Sequence, residues 1–501
     1  MLFNSYPFLF CFLPLLLLTW RFMSGGSGGA GADSRLSAVL LLFSAVFYAL
    51  WGAAFTLLLA AVIAMNYAFG MAFAAPDDVF AQKHRIGRKK MFVLALILNL
   101  LPLVWFKYSG FLAQNLALLF SANWEFATPG LPLGISFYTF IQIAWLSAVY
   151  QRRVTPEGIA RHALFSSCFP YVISGPIVRY EQMKDQFDNF SASTSEGLAR
   201  GLSLFSLGLA KKVLLADSIA VYANSVFNAA EKGFPLSGLE AWLGSFCYTF
   251  QLYFDFSGYT DMALGLGLMI GLRLPENFDS PYKSTGIVDF WRRWHITLGS
   301  WLRDCLYIPL GGNRAGKLTQ YRNLFLTMFI GGVWHGAGWT FAIWGALHGA
   351  MLAVNHYFRA AIKGKSLERA LKTLPCRLAF IIFTFLCVNA CWVVFRAATF
   401  TGAARMYSTM AAGSAAPFPP EAGLLPNSYF QGWQPFALLL ICSAIVWLLP
   451  NTREILKSGP ADARTRLQWS ASGLWAAGLA VLTFVTLILV SRKSTFLYFQ
   501  F

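Results

Sequence analysis

Charge is what this 501-residue sequence has least of: Asp, Glu, Lys and Arg together make up only 12% of it. A soluble domain carries about 25%. With 57% hydrophobic and 17% aromatic residues, the chain reads as a polytopic membrane protein. It also lacks any CxxC pair. Its eight cysteines are scattered, mostly in apolar segments, and Cys387 and Cys391 share a helix face as small buried side chains. Neither a disulfide framework nor a zinc site is supported. No basic residue precedes the first apolar run, MLFNSYPFLFCFLPLLLLTWRF, and no small-residue cleavage site follows, so the run is expected to be an uncleaved first span. Internal repeats are missing as well. Acids are scarce, with 22 Asp+Glu against 39 Lys+Arg. In so apolar a chain that excess belongs to loops on the cytoplasmic side, not to a nucleic-acid surface.

What the chain has in abundance is apolar runs, near 8–22, 36–74, 91–120, 131–150, 160–178, 198–229, 238–272, 324–357, 378–396, 435–449 and 470–490. Several exceed the roughly 20 residues of one crossing, so they are hairpins or tilted, broken helices. The expected fold is all-α: one polytopic domain over residues 1–501, with 11 or more transmembrane helices plus re-entrant and interfacial ones. SGGSGGAGAD (Ser24 to Asp33) reads as a flexible linker and APFPPEAGLLP (Ala416 to Pro426) as a loop. The basic clusters Lys83–Lys90, Gln151–Arg153, Arg359–Arg377 and Thr452–Lys457 are expected in the cytoplasm. The 397–434 loop, with only Arg405 and Glu421 charged, and the tail 491–501 are expected on the opposite side.

Ionisable side chains inside such runs are costly and mark candidate function. His335 lies in FIGGVWHGAGWTFAIWGALHG, a segment that leaves one basic region (Arg314, Lys317, Arg322) and enters another (Arg359, Lys363, Lys365). The segment therefore starts and ends on one side, as a re-entrant turn or two short passes. His335 stands 13 residues beyond Arg322, roughly 20 Å of helix, which places it deep. Gly331, Gly332, Gly336 and Gly338 around it either leave room for a substrate or let backbones pack closely, and composition does not separate the two. His348 and His356 are expected to be hydrogen-bonded packing residues. In DFWRRWHITLGSWLRDCLYIPLGGNR (Asp289 to Arg314), about 100° per residue puts Trp291, Trp294, His295, Leu298, Trp301, Leu302 and Cys305 on one face of a helix. Such a helix would lie at the membrane interface with His295 on its apolar side. Asp255 and Asp261 are carboxylates within an apolar run. They line a polar cavity or, the favoured reading, hold neighbouring helices together. No carboxylate or cysteine stands at metal-ligand spacing from His335, so no metal site is expected.

Five stretches then carry a resemblance: FYTFIQIAWLSAVYQ, FPYVISGPIVRYEQM, DFSGYTDMALGLGLMIGLRLPENFDSPYKS, FWRRWHITLGSWLRDCLYIPLGGNR and GGVWHGAGWTFAIWGALHG. In this order they resemble the membrane-bound O-acyltransferase family (MBOAT), in its bacterial branch of alginate O-acetyltransferases and related exopolysaccharide acetylases. The resemblance runs along nearly the whole chain and is richest over about 131–357. It implies helices around a central tunnel and a catalytic histidine at His335, with His295 as second catalytic position. Trp334, Trp294 and Asp255 are expected to contact substrate. The family usually has Tyr where this chain has Cys305, so an aromatic contact is expected to be missing there. The implied activity is transfer of an acetyl group from a cytoplasmic thioester, acetyl-coenzyme A or an acyl carrier protein, to an extracellular polysaccharide. The implied setting is lipid, the bacterial inner membrane, with a periplasmic acetyltransferase or esterase-like partner and no bound cofactor. The alternative from another class is a transporter relaying protons or solute through buried His and Asp residues. The missing repeats and the tryptophan-rich 290–304 stretch speak against it.

Overall fold

Backbone inside a bilayer has no water to bond, so its N–H and C=O groups must be satisfied within the segment. The chain answers with helix. The computed structural model describes residues 1–24, 30–122, 124, 126–190, 194–412, 430, 433–456, 467–490 and 497. Among the described residues there is no strand; the nearest thing to sheet is one antiparallel bridge between Phe278 and Trp294. The all-α expectation holds.

Among the described residues, three helices are long and apolar enough to cross a membrane by length and composition: Ala53–Ala74, Arg88–Leu119 and Leu374–Arg396. Shorter apolar helices cover Phe8–Ser24, Ile135–Tyr150, Gln434–Leu448 and Gly473–Leu489. The expected eleven or more spans rest on runs that the structure treats less simply. The 238–272 run becomes a 32-residue helix, Gly238–Met269, diluted by Glu240, Asp255 and Asp261. The 198–229 run becomes Ser195–Ala210, a wide turn over Lys211–Ala216, and Asp217–Lys232, with two lysines at its centre.

Two sequence expectations are corrected. Ala30 to Asp33, read as linker, already belong to the helix Ala30–Ala49, while 25–29 lie outside the described residues. The 397–434 segment, read as a loop, holds the helix Phe400–Ala412. The Glu231 carboxylate explains its start, accepting from the N–H groups of Ala398 (2.7 Å) and Thr399 (3.1 Å), an anion where free N–H groups gather. Gly402, Ala403 and Met406 then turn inward. Residues 416–426, Lys457 and the 491–501 tail apart from Leu497 lie outside the described residues.

Backbone contacts group the chain into two compact units: Met1–Phe205 with Met262–Pro275, and Ser206–Asp261 with Glu276–Phe501. The first is built on an aromatic cluster of Phe3, Phe8, Phe12, Phe47 and Phe169. In it Asn66 and Asn99 exchange amide hydrogen bonds, both 2.9 Å. The second contains every residue singled out above for chemistry.

Candidate active site

The segment around His335 folds as a helical hairpin of Lys317–His335 and Trp339–Ile362, joined by Gly336, Ala337 and Gly338. His335 is the last residue of the first arm; 19 residues at 1.5 Å make that arm about 28 Å long. Gly336 ends it in extended conformation (φ −159°). The segment is thus a helix–turn–helix, as both the re-entrant and the two-pass expectation require, with its first arm beginning at Lys317 instead of 324.

Of the two roles left open, close packing accounts for several of these glycines. A Cβ on Gly332 would stand 2.4 Å from the Phe341 carbonyl oxygen and 2.7 Å from Gly345 Cα; one on Gly345 would stand 2.5 Å from the Met328 carbonyl oxygen. At Gly349 it would meet Phe325 Cα at 2.8 Å. These glycines bring the two arms into backbone contact. Gly336 is covered by the Phe341 ring, 2.1 Å from where a Cβ would be. Packing therefore claims Gly332 and Gly336.

His335 is buried, 5% exposed, in a cage of rings. Trp334 lies 4.8 Å away, Trp344 on the second arm 5.1 Å edge-on, and Phe395 from Leu374–Arg396 5.4 Å. Trp344 in turn meets His348 at 4.7 Å and stacks on Trp392 at 5.6 Å. His348 is fully buried and its Nδ1 accepts a hydrogen bond from Trp291 Nε1 at 3.2 Å. That is the hydrogen-bonded packing role expected of it.

His295 departs from the expected helix. Ile287–Arg293 ends at Trp294, which is extended, and a new helix, Ile296–Leu302, begins after His295. His295 itself sits in the left-handed region, φ 44°, ψ 55°, a conformation that costs a non-glycine residue energy and is held only by strong surroundings. The surroundings are residues 277–279. Phe278 bridges Trp294, the Asn277 carbonyl accepts from Ile296 N–H (3.0 Å), and Asp279 N–H donates to the Arg293 carbonyl (2.9 Å). One continuous interfacial helix over 290–305 is thus replaced by two helices and a pinned break. His295 is nevertheless completely buried, as its apolar side required, with Phe256 edge-on at 4.7 Å.

The Asn277 side chain sets the imidazole. Its Oδ1 accepts from Thr297 N–H (3.2 Å) and Thr297 Oγ1 (2.9 Å) and lies 3.0 Å from His295 Nδ1. An oxygen cannot donate, so Nδ1 carries the proton and Nε2 is the ring's acceptor. Asn277 was present in a quoted motif, but nothing in its spacing announced this role.

Trp294 is buried among Phe278, Phe290 and Trp392, at 5.1, 5.6 and 5.1 Å. Through Trp392 and Trp344 its ring joins a continuous packing that ends on His335. Trp334 is also buried. Cys305 is half-buried in the wide turn Arg303–Tyr307. Asp255 is ion-paired: its Oδ1 pairs with Lys212 Nζ at 2.5 Å, its Oδ2 accepts from Leu497 N–H at 3.0 Å, and Lys212 also reaches Asp217 at 2.7 Å. Asp261 pairs with Lys211 at 2.6 Å and accepts from Thr452 Oγ1. These are the internal pairs expected of buried carboxylates. The two lysines were legible as KK within an apolar run, the complement of two unexplained acids.

A buried histidine at the turn of a helical hairpin, with a second imidazole held by Asn277 in the same unit, defines a class: a helical membrane protein with imidazoles buried in an apolar site. Comparison with known proteins makes the class specific. The pattern of MBOAT, the membrane-bound O-acyltransferase family, matches residues 43–395. Over the full length of both chains, the sequence is 39% identical to a probable alginate O-acetylase AlgI of Pseudomonas putida. It is 35% identical to the peptidoglycan O-acetyltransferase of Helicobacter pylori, over 100% of this chain and 98% of that one. It is 29% identical to the teichoic acid D-alanyltransferase of Bacillus subtilis, over 49% of this chain and 67% of that one. The chain belongs to the membrane-bound O-acyltransferase family, and it is an acyltransferase of the membrane.

Proposed function

We propose that this enzyme moves an acetyl group from a cytoplasmic thioester, acetyl-coenzyme A or an acyl carrier protein, across the bacterial inner membrane for O-acetylation of an extracellular polysaccharide. The full-length relatives support this reading, since they are named for acetylating alginate and peptidoglycan. A carrier that is too polar to cross and a glycan that lies outside need a reacting group between them. The observation that carries the reading is His335, buried among Trp334, Trp344 and Phe395 at the end of the first hairpin arm.

In the reaction, neutral His335 takes the proton of the acceptor hydroxyl as its oxygen attacks the thioester carbonyl carbon. The tetrahedral intermediate collapses with cleavage of the C–S bond. The departing thiolate recovers the proton, leaving an ester and a free thiol. His295, with its proton held on Nδ1 by Asn277, offers Nε2 as an acceptor and so suits orientation of a hydroxyl more than stabilisation of an oxyanion. Trp334 and Trp294 support the two imidazoles by packing. The acceptor hydroxyl belongs to the glycan or to a periplasmic acetyltransferase or esterase-like partner that relays the group.

Sealed inverted membrane vesicles test the vectorial step. With labelled acetyl-coenzyme A presented only to the outward-facing cytoplasmic side, the reading expects alkali-labile acetyl to accumulate inside vesicles containing the enzyme. Label that stays outside, or solute flux without any acyl product, would refute it and favour transport.

A further inference from the structure

The second hairpin arm has an outer face that the site does not use. With the helix Leu374–Arg396 it walls a groove of about 730 Å³, lined by Met351, Val354, Phe358, Phe380 and Phe383 among others. That size falls within the roughly 300–1,000 Å³ of small-ligand sites. Val354 and Phe383 are 66% and 63% exposed, so the groove opens outward. At one end the lining turns polar. A Cβ on Gly286 would lie 3.2 Å from Asn355 Nδ2 and 3.3 Å from the Arg359 guanidinium, so these two heads meet over that glycine. Among the described residues no carboxylate forms an ion pair with Arg359, whereas Arg293 and Arg303 both have one.

An apolar trough with the Arg359 guanidinium over Gly286 at one end matches a molecule with an apolar tail and an anionic head. The thioester donor matches it less well: its arm carries amides, and the walls offer few polar partners beyond Thr285, Thr384 and Asn355. A second copy of the chain would bring an apolar face but no anion. We propose that this groove binds an anionic phospholipid, one acyl chain lying between the two helices and the phosphate held by Arg359. Arg suits a phosphate through its paired N–H groups, and a cation near an anionic headgroup contributes appreciably.

The test is native mass spectrometry of the purified full-length enzyme offered equal amounts of 1-palmitoyl-2-oleoyl phosphatidylglycerol and the corresponding phosphatidylcholine. The wild type should retain the anionic phosphatidylglycerol preferentially. Arg359→Gln should lower that retention by about fivefold, the factor that about 1 kcal/mol of headgroup attraction represents. Ala350→Phe, which fills the groove, should lower retention of both lipids. The headgroup comparison needs no variant, so it stands even where a substitution harms folding; circular dichroism checks the variants. Equal retention of the two headgroups by the wild type, retention unchanged in both folded variants, or displacement of the lipid by acetyl-coenzyme A would overturn the proposal.

Discussion

His295 donates its Nδ1 proton to Asn277 Oδ1, 3.0 Å away, and the same oxygen accepts two bonds from Thr297. One amide therefore fixes a left-handed backbone, a tautomer and the start of the next helix. Asn277→Leu should leave these donors buried and unsatisfied, costing about 2–4 kcal/mol and most of the activity. Thr297→Val, which removes only the hydroxyl bond, should cost about 1 kcal/mol. Thermal unfolding of the purified variants would show the ordering; a mild Asn277→Leu would mean that the break at His295 holds without the amide.

The hairpin depends on arms that touch through glycine. Gly332→Val should force Phe341 and Gly345 away and cost at least the roughly 1–3 kcal/mol of overpacking. Gly338→Ala has a nearest contact of 3.4 Å, to the Phe341 ring, and should be tolerated. Membrane levels and melting temperatures of the two variants compare them directly, and equal behaviour would contradict close packing as the role of Gly332.

Lys211 and Asp261 form a pair with little exposure, 14% and 9% for the side chains. Lys211→Met or Asp261→Leu alone should destabilise by about 3–5 kcal/mol, since each leaves a charge uncompensated, and the double variant should recover most of the loss. Additive losses in the double-mutant cycle would show that the pair is not coupled.

Much of this was readable beforehand, for physical reasons that differ by residue. Low charge and long apolar runs made helices in a membrane unavoidable, and the basic residues flanking 324–357 implied a hairpin whose turn now lies beside His335. The burial of His295 followed from its apolar neighbours. Its backbone did not, because a break held by Asn277 and Phe278 comes from residues 16–18 positions earlier and leaves no trace in helical periodicity. The glycines around His335 were ambiguous for a related reason: glycine permits both a cavity and a close contact, and only the position of Phe341 and Gly345 decides between them. The helix Phe400–Ala412 escaped notice because its start is capped by Glu231, about 170 residues away in sequence.

The orientation proposed from the basic clusters is open to direct labelling. Single cysteines placed at 85 or 365, in an otherwise cysteine-free background, should resist an impermeant thiol reagent added to intact cells, whereas one at 415 should react. Labelling at 85 or 365 without labelling at 415 would invert the orientation and, with it, the side from which the donor approaches.

The central claim is that His335 is the base. The measurement is the O-acetyl content of the polysaccharide made by cells carrying His335→Ala, with membrane levels of the variant matched to wild type. His84→Ala, outside the ring cage, serves as the control. Loss of a general base predicts a fall on the order of 10²–10⁴-fold in acetyl transfer, in a protein that remains inserted and still binds donor. Near-normal acetylation by His335→Ala would contradict the assignment.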